Sequence, residues 1–276
     1  MPKCIYCGNT GKLTREHILP SFVYQHHYQI EGQSNVIGWR EKPEKVVSGE
    51  AKIKDVCSTC NNITLSEYDS HAKDVLESAN IFQKNFLLKE TSFNYDYGLL
   101  SRWLLKVAYN SSRASGKQVK EFESFKDYII SKNIENNNFF IACGLLKPIK
   151  LTQEEFVEHG SSFGLNKPGY INPFFTRISW SPSRLNGYAV KQIVIGALVF
   201  HVCVFTKNLD RQEKKKIKKQ HVESCKNMQL ISSNTSKHKV MQLPISFIDS
   251  MGPHMLRDNV RPEMDKLLTS QSTGTK

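Results

Sequence analysis

Four cysteines stand in two short pairs, Cys4/Cys7 and Cys57/Cys60, each with a two-residue gap. A gap of that length lets both sulfurs of a turn face one ion, so the two pairs together supply the thiolates of a closed tetrahedral zinc site. The run Arg15-Glu16-His17-Ile18-Leu19-Pro20 lies between the pairs, and Asn61-Asn62 follows the second directly. An acidic residue beside a histidine, held between two metal-binding turns, points to a second site that does chemistry. A histidine with an ordinary pKa near ~6.5 is largely neutral at cellular pH and can take a proton from water. His17 is therefore the candidate general base.

In this order the residues resemble the zinc-knuckle branch of the HNH endonucleases: Cys4-x-x-Cys7, then Glu16-His17-Ile18-Leu19-Pro20, then Cys57-x-x-Cys60-Asn61. The resemblance covers about the first 80 residues. It implies a ββα-metal unit in which zinc sits on the four cysteines as a structural ion. It further implies that Glu16 and Asn61 ligate a catalytic Mg²⁺ or Mn²⁺, while His17 polarises the attacking water from the other side. Carboxylate and amide oxygens suit those hard cations. Asn62 is an alternative to Asn61, because one residue turns the direction around a helix by about 100°. Arg15 and Lys12 are candidates for holding phosphate. Two departures stand out: Glu16 occupies a place usually taken by Asp, and the stretch Lys52-Ile53-Lys54-Asp55-Val56 lacks the Asn that orients the base in the family. Adjacent side chains of a strand also point to opposite faces, so Glu16 and His17 share a pocket only if the strand twists or ends there.

These residues need elements to position them. Lys12–Leu19 fits a short strand, Val36–Arg40 and Val46–Lys54 fit a ribbon, and Asn61–Ala79 carries Leu65, Tyr68, Ala72, Val75 and Leu76 at helical spacing. From 81 to 135 the chain reads as helical. Leu99, Leu100, Trp103, Leu104, Val107 and Ala108 form a stripe for core packing, Ser115-Gly116 ends that helix, and Phe122–Ile130 reads as another. From Asn138 onward β-branched and aromatic residues dominate Phe139–Leu145, Tyr170–Trp180 and Tyr188–Thr206, with a turn or bulge expected at Ile195-Gly196-Ala197. Arg211–Lys219 is a basic cluster on an expected helix. Cys143, Cys203 and Cys225 stand apart from the pairs, and Cys203, in an apolar strand, reads as a buried thiol.

The expected class is α+β: a zinc-stapled module over 1–80, a helical segment over 81–135, an α+β region with a mostly antiparallel sheet over 136–268, and a disordered tail over 269–276. No run of about 18 apolar residues is present, and paired cysteines without a secretory signal suit a reducing cytosol, so a cytoplasmic protein without membrane partners is expected. The net charge is +12, and it is uneven: residues 1–80 hold 9 Lys+Arg against 10 Asp+Glu, the remainder 29 against 16. Such a surplus attracts polyanions. The expected activity is metal-dependent hydrolysis of nucleic acid, DNA first, with a regulatory partner protein or a homo-oligomer compatible with it; the resemblance also suits a restriction or anti-phage effector. The competing expectation is a zinc-ribbon module that binds nucleic acid without cutting it. No phosphate-cradling G-x-x-x-x-G-K-[ST] loop is present to hold a nucleotide.

Overall fold

The computed structural model describes residues 1–32, 36–160, 165–181, 187–226 and 228–255. The expected tail, 269–276, lies outside the described residues. The first part of the chain gives β1 (Leu13–His17), α1 (Ser21–Glu31), β2 (Ile37–Arg40), β3 (Lys45–Ser48) and β4 (Lys52–Cys57). β1 pairs antiparallel with β4, with a register shift between Thr14 and Arg15, and β2 pairs with β3. The expected ribbon over Val46–Lys54 thus divides. Gly49, at φ 97°, breaks the run between β3 and β4, and Lys52 onward turns back to pair with β1. α1 had no counterpart in the sequence reading, and its Phe22, Val23 and Tyr24 are buried.

After β4 a π-helical stretch, Cys60–Leu65, runs into α2 (Ser66–Ser78), which buries Tyr68, Ala72, Val75 and Leu76 as the helical spacing requires. Within the expected helical segment lies a strand, β5 (Glu90–Asn94), followed by α3 (Tyr97–Ser115) and two short helices, α4 (Val119–Glu123) and α5 (Lys126–Ile130). Asp96 caps α3 by accepting from the Leu99 amide, and Gly116, at φ 74°, closes it.

The remaining described elements are β6 (Phe139–Lys147), β7 (Ile149–Lys150), α6 (Gln153–His159), β8 (Tyr170–Ile171), β9 (Thr176–Ser181), β10 (Tyr188–Ile195), β11 (Leu198–Phe205), α7 (Arg211–Ser224), β12 (Gln229–Leu230), β13 (Lys237–Ser246) and α8 (Phe247–Met255). Among the described residues the main sheet runs β5-β13-β6-β11-β10-β9, with β12 on β6. Its pairings are antiparallel except β13 with β6. β10 and β11 form the hairpin expected around Gly196, which takes φ 56° with the Ile81 carbonyl 2.9 Å from where a Cβ would sit. The fold is mixed α+β with a mostly antiparallel sheet. One buried apolar cluster runs from Cys4, Val56 and Cys60 through Trp103 and Val107 to Phe200 and Val204. The cysteine-bearing head and the sheet therefore share a core through α3. No described helix is long and apolar enough to cross a membrane.

Candidate functional site

The sulfurs of Cys4, Cys7, Cys57 and Cys60 lie within 4.8 Å of one another. Cys7 Sγ and Cys57 Sγ are 3.7 Å apart, and sulfurs about 2.3 Å from a tetrahedral zinc lie about 3.8 Å from each other. The Cys57 amide points at Cys4 Sγ, 3.3 Å away, and the Cys60 amide at Cys57 Sγ, 3.5 Å away. Burial pushes the Cys4 thiol up, but the backbone amides of Cys57, Cys7 and Tyr6 outweigh it and bring it down to about 7. Burial and the neighbouring thiols push Cys60 far up. Four such groups cannot all ionise side by side without a cation, so the donor set, its spacing and its amides fit a metal ion such as zinc.

That cluster joins the start of the chain to the end of β4 and fixes the strand pair against the helix that follows. Asn61, at the start of the π-helical stretch, donates from Nδ2 to Thr14 Oγ1 at 2.9 Å and to the Arg15 carbonyl at 3.2 Å. It ties helix to strand at the register shift of β1. Asn62 instead bonds Ser58.

Strand alternation decides the rest. Arg15 pairs with Lys54, Glu16 with Ile53 and His17 with Lys52; residues paired across a ladder share a face, so Arg15, His17, Lys52 and Lys54 line one face while Glu16 takes the other. Glu16 is buried, at 4% exposure, and its Oε1 lies 2.9 Å from Nζ of the fully buried Lys106 on α3. Lys106 Nζ also bonds Asp69 Oδ1 of α2 at 2.6 Å, and Trp103 Nε1 donates to the same oxygen. Although burial alone lowers it, the two carboxylates raise the Lys106 pKa, so the ammonium stays charged. α3 faces the head with Lys106, Asn110 and Arg113: Asn110 donates to the His17 carbonyl at 3.1 Å and accepts from Tyr6, and Arg113 pairs with Asp55.

Of the expected catalytic residues, with Glu16 and Asn61 as metal ligands and His17 as base, Glu16 and His17 thus lie on opposite faces of β1. A lysine ammonium already neutralises Glu16, and Asn61 donates its Nδ2 to β1. Two groups of three or more His, Cys, Asp or Glu among the described residues bring ligand atoms together, the four cysteines and a set between β11 and α7, and neither contains Glu16. A divalent ion on Glu16 would compete with the Lys106 ammonium.

On the outer face His17 acquires a partner that the sequence did not reveal. Its Nε2 lies 2.8 Å from Glu50 Oε2, and Glu50 also receives Lys52 Nζ at 2.8 Å and the Tyr28 hydroxyl at 3.1 Å. Burial pushes the Glu50 carboxyl up, but the hydrogen bonds from Lys52, His17 and Tyr28 outweigh it and hold the group at about 2. A carboxylate only accepts, so Nε2 carries the proton of the neutral ring and Nδ1 keeps its lone pair. Glu50 thereby holds the His17 ring in one orientation. Arg15 is exposed beside His17, whereas Lys12 lies just before β1, where it lines a shallow depression with Pro2, Leu13 and Lys54. The signal for Lys52 and Lys54 was strand alternation; nothing local marked Glu50.

Comparisons with protein families, with curated proteins and with solved structures return no match. What the fold and site define is an α+β protein with a four-cysteine cluster that could hold a metal ion where a strand pair meets a helix, and a histidine bonded to a carboxylate on the outer face of that pair.

Proposed function

We propose that this chain is an HNH-type endonuclease that hydrolyses phosphodiester bonds of nucleic acid, DNA first, with His17 as general base. The observation that carries this reading is the His17–Glu50 pair on a face that also presents Arg15, Lys52 and Lys54. Hydrolysis needs a base to deprotonate water and cations to neutralise the phosphate. His17 Nδ1 meets the first need, and Arg15 and Lys54 bear on the second, Lys52 being already paired with Glu50. The antiparallel strands, the cysteine clamp and the following helix support the same reading. Glu16 serves in it as the buried partner of Lys106, which is a positioning role. A restriction or anti-phage setting suits such an enzyme, and neighbouring genes test that part.

A second reading, a zinc-stapled module that binds nucleic acid without cutting, is favoured by one observation: Glu16, the expected ligand of a catalytic ion, is already paired with Lys106. The two separate on supercoiled plasmid, single-stranded DNA and RNA, each with chelator, Mg²⁺ or Mn²⁺. Cleavage is expected from the wild type, a loss of about 10²–10⁴-fold in His17→Ala, and a smaller loss in Glu50→Gln, all with unchanged zinc content and unfolding profile. Salt-sensitive binding by the wild type with no cleavage under any ion leaves the second reading standing.

A further inference from the structure

Away from the four-cysteine cluster, three side chains of metal-ligating type, His201, His221 and Cys225, meet where α7 lies on the sheet, with Cys203 beside them. His201 and Cys203 are two residues apart on β11, and His221 and Cys225 four apart at the end of α7. Those spacings put each pair on one face of its element. Ligand atoms of His201, His221 and Cys225 lie within 4.8 Å of one another. His201 Nδ1 is 3.1 Å from His221 Nε2, Cys203 Sγ is 3.6 Å from that same nitrogen, and Cys225 Sγ is 4.0 Å from the ring's other nitrogen, Nδ1. In a tetrahedral zinc site two nitrogens stand about 3.3 Å apart, and a nitrogen and a sulfur about 3.6 Å.

We infer that His201, Cys203, His221 and Cys225 form a second zinc site, closed and structural, that pins α7 to the sheet. Their surroundings suit the role. The second nitrogen of each ring has an orienting partner, Tyr188 Oη at 2.9 Å from His221 Nδ1 and the Gln192 amide at 3.1 Å from His201 Nε2, as ligating histidines commonly have. With His201 ligating through Nδ1, its Nε2–H donates and Gln192 presents its oxygen, which an amide flip provides.

α7 itself gives an independent reason. This lysine-rich helix buries only Ile217 and His221, and two side chains, one of them polar, are a weak apolar hold for a helix of that length. A metal bond from His221 and Cys225 to β11 supplies what packing does not.

The test is metal content of the purified full chain, reconstituted anaerobically with zinc and freed of loose metal by gel filtration. Two zinc ions per chain are expected, falling to one in Cys57→Ser/Cys60→Ser and to one in Cys203→Ser/Cys225→Ser. One zinc in the wild type, lost on substituting Cys57 and Cys60 and unmoved by substituting Cys203 and Cys225, overturns the inference and leaves a hydrogen-bonded network; no bound zinc overturns it as well. Should either variant fail to fold, cobalt titration of the wild type decides: two chromophores, one all-sulfur and one mixed nitrogen and sulfur, support the site, and a single chromophore at saturation refutes it. None of these readouts depends on nuclease activity.

Discussion

Glu50 shows how one residue can hold a site that local sequence does not announce. It lies beyond β3, in no element, and reaches His17 because the Ile18 amide bonds the Ala51 carbonyl at 2.8 Å and returns the chain to β1. Its carboxyl is held at about 2 against an ordinary 4.5. A depressed acid contributes stability that is complete above the ordinary value and lost as pH falls through the folded one. Glu50→Gln is therefore expected to flatten the acid limb of stability between about pH 4.5 and 2, by on the order of 2 kcal/mol after discounting solvent screening. Urea unfolding across that range measures it, and an acid limb identical to the wild type's removes Glu50 from the account. The cysteine pairs were legible because both ligands of each turn are three residues apart. The histidines and cysteines of the sheet were not, since their partners come from different elements, and Cys203 alone reads as the buried thiol that it also is.

Between elements, the join of β1, α2 and α3 rests on one buried cation. Lys106 sits inside the apolar stripe of α3, next to Trp103 and Val107, and is fully buried with Glu16 and Asp69 as its partners. Lys106→Met leaves Glu16 buried and uncompensated, which is expected to cost about 3–5 kcal/mol. Adding Glu16→Gln removes the stranded charge and is expected to return much of that loss. Chemical denaturation of the two variants tests the pair; a cost below about 1 kcal/mol for Lys106→Met would mean that the join is held by packing alone. The stripe of α3, the α2 face and the β10–β11 hairpin were readable from periodicity and from Gly196. Lys106, Asn110 and Arg113 were not read, because a stripe shows which face is buried and not which polar groups cross it to meet another element. β5 was missed for a related reason: Glu90–Asn94 is short and mostly polar, and it becomes a strand by pairing with β13.

Across the molecule the head and the sheet share one buried cluster, which includes Cys4, Cys60, Trp103 and Val204. Loss of metal at the head should therefore be felt by the whole chain. Cys57→Ser/Cys60→Ser is expected to lower a single thermal transition by on the order of 10 °C, and calorimetry that instead resolves an early, separate transition would show a head that unfolds alone. The α+β class was legible in the residue periodicities and the basic surplus in the composition, whereas the continuity of the core came from α3 touching both halves, a long-range fact that no window of sequence contains. The insertion between β1 and β4 leaves and rejoins the ribbon at neighbouring residues, Ile18 and Ala51. Its far tip, the turn between β2 and β3, can change length at little entropic cost, about 0.6 kcal/mol per doubling. That makes the tip a place where the chain can grow or shrink while His17, Glu50 and the four cysteines keep their positions.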